Sequence, residues 1–455
     1  MVFSSTFFLL AFLPIVFILH TLINNIHMKN AILLIASLLF YSVGEPIYVI
    51  LMVFSICMNY IFGLIVCKKN KKTVLIAAII ANVAILAVFK YTDFLIETVN
   101  SFSGMSIPLT GIKLPIGISF FTFQALSYVI DVYREPELSQ RNIFKLALYI
   151  SFFPQLIAGP IVKYSDIAGY LNHRRFSVSD VADGLRRFIF GLSKKVIIAN
   201  TVGRAADVIF GMNGGGWLPA WFGAVAYCLQ IYYDFSGYSD MAIGLGRMFG
   251  FHFHENFNHP YRAVTLRDFW HRWHISLSSW FKKYVYIPLG GNKKGEQRTE
   301  INRLIVFFLT GLWHGAGINF IVWGLIHGVC SVLEDVFTKD IKVPKSLSRI
   351  YTLFVVLFAF IFFRAETMAQ AGAYIASLFT AFSVGSIRIF LSLLTPKMII
   401  AMAAGLYFCF FPKKKKHSSH KKRERLSYTA AAVLFAFCVM ELASAGYNPF
   451  IYFRF

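Results

Sequence analysis

Charged side chains are scarce in this sequence. They make up 15% of the 455 residues, whereas 57% of the residues are hydrophobic. A typical soluble domain is about half apolar and about a quarter charged, so a soluble core could not bury this much apolar surface. At about 20 residues per bilayer crossing, the long apolar runs predict an all-α polytopic membrane protein with roughly ten to thirteen transmembrane and re-entrant helices.

Acidic residues number half the basic ones, 22 against 44, and the formal net charge is +22. In a soluble chain this excess would indicate nucleic acid as a partner, but in a chain embedded in a lipid bilayer it marks cytoplasmic loops. We therefore expect no nucleic-acid partner and place two basic clusters, residues 68–72 and 413–425, in the cytoplasm. Residues 2–19 lack a preceding basic stretch and a cleavage site, which predicts a first span. Counting spans then puts both termini outside, including a C-terminal tail over residues 446–455.

Several catalytic signatures are missing. The six cysteines form no C-x-x-C pair, which disfavours a disulfide framework and a zinc ribbon. There is no P-loop and no G-x-S-x-G elbow, so an ATP-driven pump and a serine hydrolase are disfavoured. His271 and His274 with a third histidine could bind zinc, but no H-E-x-x-H motif is present and no carboxylate or cysteine stands at a ligand-like spacing. We expect no metal site.

The middle of the chain, about residues 134–330, mixes apolar stretches with Pro, Gly, Arg and His. Polar groups and broken helices at membrane depth are tolerated only where they line a cavity or are wrapped by protein. This region predicts a central polar cavity inside a single integral membrane domain over residues 1–455. A polysaccharide or lipid transporter would use such a cavity equally well.

Two segments in this region carry histidines. Residues 268–291 are amphipathic and aromatic, and the i, i+3 spacing of His271 and His274 predicts that both lie on one helix face. The alternative for this segment is a helix anchored at the membrane interface. His314 and His327 stand in an uncharged apolar run, where desolvation keeps a histidine neutral and able to accept a proton. His314 therefore suits a general base, and the alternative for both is a histidine bonded between packed helices.

Five stretches resemble the membrane-bound O-acyltransferase family, in particular its bacterial alginate O-acetyltransferase-like branch. They are LPIGISFFTFQALSYVIDVY at 114–133, SFFPQLIAGPI at 151–161, QIYYDFSGYSDMAIGLGRMFG at 230–250, NFNHPYRAVTLRDFWHRWHISLSSW at 256–280 and LTGLWHGAG at 309–317. The resemblance implies a ring of helices around a tunnel that leads from a cytoplasmic donor side to an outer acceptor side. It assigns the catalytic role to His314, within LWHG, and the second family position to His274.

The resemblance also implies the reaction. The donor is expected to be acyl-CoA, most often acetyl-CoA, and the acceptor an extracytoplasmic cell-surface polysaccharide. A secreted or membrane-tethered polysaccharide O-acetyltransferase is expected as a partner, in the cytoplasmic membrane of a bacterium. The residues predicted to line the cavity or contact substrate are Arg272, Trp273, Trp313, Asn319 and His327.

The chain ends on an aromatic stretch, FIYFRF at residues 450–455. It resembles a terminal tyrosine motif of bacterial family members and of a small partner in the branch that transfers D-alanine to teichoic acid. We take Tyr452 as a candidate acyl carrier, and the alternative is an aromatic belt at the outer interface. The second function that the resemblance leaves open is D-alanyl transfer to teichoic acid, which requires a carrier-protein donor.

Overall fold

The computed structural model describes residues 1–69, 72–338, 343–411, 420–444 and 446–451. These residues contain many helices and no β-strand, which confirms the all-α prediction for this part of the chain. The helices in chain order are α1 (Leu13–Leu22), α2 (Ile26–Gly44), α3 (Tyr48–Lys69), α4 (Lys72–Ser103), α5 (Ile118–Arg134), α6 (Ile143–Ser151), α7 (Phe153–Leu156), α8 (Tyr164–Ile167), α9 (Val178–Ser193), α10 (Asn200–Gly211), α11 (Trp217–Met248), α12 (Leu266–Arg272), α13 (Ile275–Phe281), α14 (Glu296–His314), α15 (Ile318–Thr338), α16 (Lys345–Arg364), α17 (Met368–Ser377), α18 (Val384–Leu393), α19 (Pro396–Phe410) and α20 (His420–Ser444). Short π-helical segments occur at Phe8–Phe12, Lys194–Ala199 and Lys282–Tyr286, and 3-10 turns at Pro136–Leu138, Ala168–Leu171 and Pro260–Arg262.

Six of the described helices are long and apolar enough to cross a bilayer. They are Ile26–Gly44, Tyr48–Lys68, Lys72–Ser103, Ile318–Phe337, Lys345–Arg364 and Glu424–Ser444. The helices α18 and α19, bent by 77° where they meet, add a seventh if they form one span. The chain is a multi-pass membrane protein. The roughly ten to thirteen transmembrane and re-entrant helices stay a prediction, because the polar middle contains helices such as α12 and α13, of seven residues each, that are too short to cross a bilayer alone.

The first of two compact units comprises Met1–Phe188 and Ser239–His254. In it α3 packs against α4 and α5, and α2 packs against α6. Asn59 of α3 and Asn82 of α4 are buried and exchange side-chain amide hydrogen bonds of 3.0 and 2.8 Å. This reciprocal pair satisfies polar groups inside two otherwise apolar helices.

The second unit comprises Ile189–Tyr238 and Glu255–Phe455, and it contains every histidine proposed for catalysis. Here α15 packs between α14 and α16, and α12 contacts α15. The helices α14 and α15 approach each other closely at Gly311, since a Cβ on this residue would lie 2.5 Å from the Phe320 carbonyl oxygen. The single domain predicted over residues 1–455 stays a prediction.

Candidate active site

His314 is the last residue of α14. Gly315 follows in an extended conformation, with φ −162° and ψ 155°, and ends the helix there. The Nδ1 atom of His314 lies 2.8 Å from the Thr310 carbonyl oxygen. Because a carbonyl can only accept, Nδ1 carries the proton, and a neutral ring then has its lone pair on Nε2. The buried side chain is thus held as a proton acceptor at Nε2.

His274 lies at a break between two helices. α12 ends where Trp273 turns extended, and His274 takes the left-handed conformation, with φ 45° and ψ 53°, before α13 begins. A residue other than glycine in this region is strained by on the order of 1 kcal/mol, and such residues concentrate at functional sites. The prediction that His271 and His274 share one helix face is wrong, because the helix breaks between them.

Asn256 sets the orientation of the His274 ring. Its Oδ1 accepts from the Ser276 backbone N–H at 3.1 Å and from the Ser276 hydroxyl at 2.8 Å. A backbone N–H can only donate, which identifies the atom as the amide oxygen. The same oxygen lies 3.2 Å from His274 Nδ1, so that nitrogen donates and carries the proton. His274 therefore has the same tautomer as His314, with its lone pair on Nε2.

The two histidines share Trp313 as a neighbour. Its ring centroid lies 6.1 Å from the His274 ring and 4.8 Å from the His314 ring. His274 is fully buried and lies outside the helices that could span a membrane. Burial, together with the positive charge His314 would carry, lowers the pKa of His274 well below its ordinary value. His274 is therefore neutral at physiological pH, and its Nε2 is buried with no hydrogen-bond partner among the described residues.

A small cavity of about 10 Å³ adjoins His314. Its lining residues are Ile231, Phe235, Trp273, His314, Trp323, Phe360, Phe363 and Ile451. Phe235 also contacts the His274 ring edge-on, at 4.6 Å between centroids. This volume holds roughly one water-sized group. Ile451 brings the C-terminal tail to the same cavity, and Tyr452, the next residue, lies outside the described residues.

A second cavity has a volume of about 380 Å³. Its lining residues include three cations, four aromatic residues, a histidine and Thr310: Arg267, Lys282, Arg303, Trp270, Phe281, Tyr286, Phe307, His271 and Thr310. Arg267 and Arg303 share one carboxylate, that of Asp335, at 2.5 and 2.7 Å. With Lys282 added, the wall is net positive. Thr310 lines this cavity, and its carbonyl accepts the hydrogen bond from the His314 ring.

The other predicted residues have separate contacts. Arg272 pairs with Asp268 at 2.7 Å, and the Asn319 amide donates to the Ala365 carbonyl at 2.7 Å, just beyond the end of α16. Neither residue lines the two cavities described above, whereas Trp273 does.

His327 lies inside an aromatic cage. Its neighbours are the rings of Phe269, Trp270, Phe307 and Trp323. Both ring nitrogens are buried without a hydrogen-bond partner among the described residues. Trp323 stands between the rings of His327 and His314, at centroid distances of 5.4 and 4.7 Å.

Several residues of this site were not predicted from the sequence. Asn256 and Ser276 orient His274, while Phe235 and Trp323 contact the two catalytic candidates. Asn256 is the first residue of one of the five stretches quoted above, and that position was the one sequence signal for a role. No local pattern connects Asn256 to His274, because the two residues are 18 positions apart. In the part of the chain that is described, no group of three or more His, Cys, Asp or Glu is arranged to hold a metal ion. The expectation of no metal site stays a prediction.

Comparison with known proteins gives consistent matches. The sequence model of the membrane-bound O-acyltransferase family matches residues 135–369. A probable alginate O-acetylase, AlgI of Pseudomonas aeruginosa, is 40% identical over 84% of this chain and 75% of its own length. A peptidoglycan O-acetyltransferase of Helicobacter pylori is 37% identical over 82% of this chain and 78% of its own. A teichoic acid D-alanyltransferase of Bacillus subtilis is 28% identical over 65% of this chain and 77% of its own.

Proposed function

This chain belongs to the membrane-bound O-acyltransferase family, and from that premise we propose that it moves an acetyl group from cytoplasmic acetyl-CoA to a cell-surface polysaccharide. It is an enzyme of the acyltransferase class. The observation that carries the proposal is the juxtaposition of His314 and Ile451. The histidine presents a lone pair on Nε2, and the same small cavity is lined by the tail residue that precedes Tyr452.

His314 acts as the general base. A hydroxyl that attacks a thioester must lose its proton, and a neutral imidazole within hydrogen-bond reach accepts it. The bond from Nδ1 to the Thr310 carbonyl keeps the ring in the required tautomer and stabilises the imidazolium that forms. The apolar lining of the cavity excludes bulk water, which would otherwise hydrolyse an acyl intermediate.

His274 supports this step from beside Trp313. In the tautomer set by Asn256 its Nε2 accepts a hydrogen bond rather than donating one. It therefore orients an attacking hydroxyl or relays the proton, and it does not polarise the acyl carbonyl. Such a role contributes less than the base itself, so His274 is the secondary residue of the pair.

Tyr452 is the acyl carrier in this proposal. Its phenol oxygen attacks the acetyl carbonyl of the donor, the phenol proton moves to His314 Nε2, and the CoA thiolate leaves. The imidazolium then returns a proton to the thiolate. An acceptor hydroxyl next attacks the tyrosyl ester and releases the phenol. A phenol with an ordinary pKa near 10 needs such a base at neutral pH.

The cavity of about 380 Å³ suits the donor. Acyl-CoA carries several phosphate charges, and the wall with Arg267, Lys282 and Arg303 carries an excess of positive charge. Thr310 lines this cavity and fixes His314, so a thioester bound here lies close to the base. In the proposed arrangement this cavity belongs to the cytoplasmic half of a tunnel through a ring of helices.

The acceptor and the partner are inferred from the relatives. The alginate O-acetylase and the peptidoglycan O-acetyltransferase are both named for sugar polymers. We infer a cell-surface polysaccharide as the final acceptor of this chain, reached through a secreted or membrane-tethered O-acetyltransferase. The protein then works in the bacterial cytoplasmic membrane, with the tail on the outer face.

D-alanyl transfer to teichoic acid is the second candidate, favoured by the relative that is 28% identical. The two functions differ in their donor. Purified full-length protein in lipid vesicles would be supplied with radiolabelled acetyl-CoA or, separately, with a D-alanyl carrier protein. We expect acyl label on the wild-type protein from acetyl-CoA and none on the His314→Ala variant. If the protein is labelled only by the D-alanyl carrier protein, the acetylation proposal fails and D-alanyl transfer takes its place.

A further inference from the structure

A buried ion pair binds the described end of the C-terminal tail. Lys195 Nζ lies 2.8 Å from Asp234 Oδ1, and the two side chains are 4% and 2% exposed. Burial removes the water that hydrates the two charges. The attraction between the charges offsets this cost only when further hydrogen bonds satisfy both groups. The tail supplies these bonds. The Ile451 N–H donates to Asp234 Oδ2 at 2.8 Å, and Lys195 Nζ donates to the Pro449 carbonyl.

Both bonds go to the backbone of the tail. They fix the path and direction of the chain over Pro449 to Ile451, whatever side chains these positions carry. Phe450, between the two bound residues, stacks on Tyr238 with ring centroids 4.6 Å apart. It also lies 6.0 Å from Lys195 Nζ, within the range of a cation–π contact.

A second ion pair holds the beginning of the tail. The Tyr447 hydroxyl donates to Asp207 Oδ2 at 2.6 Å, and Arg364 donates to Asp207 Oδ1 at 2.8 Å. The Arg204 guanidinium lies 5.1 Å above the Tyr447 ring. The tail is therefore anchored at Tyr447 and again at Ile451, which leaves little freedom between the two points.

We propose that Lys195 and Asp234 form a socket that positions the acyl-accepting residue of the tail at His314. This proposal rests on the proposed function, in which Tyr452 is the carrier. Asp234 fixes the N–H of Ile451, whose side chain lines the cavity of His314. Tyr452 therefore directly follows, in the chain, a residue whose backbone is fixed. Lys195 and Asp234 are positioning residues, because they act through the tail and touch no reacting atom.

The test removes both charges together in the full-length protein. Lys195→Met with Asp234→Leu leaves no uncompensated buried charge, so the fold is preserved while the tail loses both bonds. We expect amide hydrogen exchange in the C-terminal peptide to accelerate at least about tenfold and polymer acetylation to fall by roughly 100-fold, the cost of a misplaced reacting group. The control is Arg187→Met with Asp240→Leu, which removes an ion pair of 2.7 Å within the first compact unit. In this control the tail amides should stay protected from hydrogen exchange, and polymer acetylation should stay at the wild-type level.

A second pair of variants isolates one hydrogen bond. Ile451→Pro removes the N–H that donates to Asp234, and it also fixes φ and replaces the side chain. Ile451→Ala replaces the side chain and keeps the N–H. The proline variant should accelerate exchange at the neighbouring tail amides, and the alanine variant should leave their exchange unchanged. An unchanged tail in both the double and the proline variants overturns the socket. So does a released tail with wild-type acetylation. A third outcome is that the tail is released as expected while the Tyr452→Phe variant acetylates the polymer normally. In that case Lys195 and Asp234 still bind the tail, but Tyr452 is not the carrier and the pair does not position an acyl-accepting residue.

Discussion

The two histidines at the site reach the same protonation pattern by different means. His314 donates to a carbonyl of its own helix, four residues earlier. His274 donates to the side chain of Asn256, which is itself held by Ser276. In both rings the lone pair is left on Nε2. In this tautomer each ring can accept a proton at Nε2.

His314→Ala should abolish acyl transfer, because it removes the group that accepts the proton. Loss of a general base costs about 10²–10⁴-fold in rate. The measurement is polymer acetylation in a strain that expresses the variant at the wild-type level, with size-exclusion chromatography to verify folding. His274→Ala should lose less. His254→Ala, at a largely exposed histidine, serves as the control. Wild-type acetylation by the His314→Ala strain would refute the assignment.

Tyr452→Phe should eliminate polymer acetylation while expression stays normal. The substitution keeps the ring, and with it any anchoring at the interface, but removes the hydroxyl that would carry the acyl group. Intact-mass analysis of the wild-type C-terminal peptide should show an added acetyl group, which the variant lacks. Normal acetylation in the Tyr452→Phe strain would reduce the tail to an aromatic belt or a docking strip.

At the scale of helices, the site is built where elements end. α14 stops at His314, and α12 and α13 are separated by Trp273 and His274. A helix end frees a side chain from the helix surface and allows an unusual backbone angle. The packing of α14 against α15 then fixes the position of His314, and it depends on glycine where the two backbones meet.

Gly311→Ala should destabilise the protein. The added Cβ would lie 2.5 Å from the Phe320 carbonyl oxygen, which is backbone of α15 and cannot rotate away. Overpacking of this kind costs about 1–3 kcal/mol. The thermal unfolding midpoint in detergent should fall accordingly. Gly372→Ala is the matched control, since nothing lies within 4 Å of its Cβ. Equal midpoints for the two variants would contradict close packing at Gly311.

At the scale of the whole molecule, the proposed function needs the donor cavity and the tail on opposite sides of the membrane. The charge distribution predicts this arrangement, because the basic residues of 413–425 favour the cytoplasm and precede a span that leads outward. Most of that cluster lies outside the described residues, so the prediction rests on sequence.

A labelling experiment tests this topology. In a background without the six native cysteines, a cysteine at Ser418, a position outside the described residues, should react with an impermeant thiol reagent only after permeabilisation. A cysteine added after Phe455 should react in intact cells. The reverse pattern would place the tail on the donor side and remove its access to a polysaccharide.

The sequence by itself determined the class of protein and the two catalytic candidates. Composition sufficed for the membrane assignment, because a soluble core cannot bury this excess of apolar residues and a lipid bilayer can accommodate it. Motifs singled out His314 and His274 as candidates, because the residues of each motif are adjacent in the chain, and the catalytic roles of both histidines stay predictions. The shared helix face of His271 and His274 was predicted wrongly, since the local spacing does not reveal a break at Trp273.

The tertiary structure alone decided how those candidates are held and where the tail lies. Asn256 reaches His274 across 18 residues, and Asp234 reaches Ile451 across 217. Neither contact leaves a periodic or local pattern, because helix packing determines which distant residues meet. The ring nitrogen that carries the proton depends on a single acceptor atom in each case. The cavity shared by His314 and Ile451 depends on side chains from separate helices and the tail, which only the folded chain brings together.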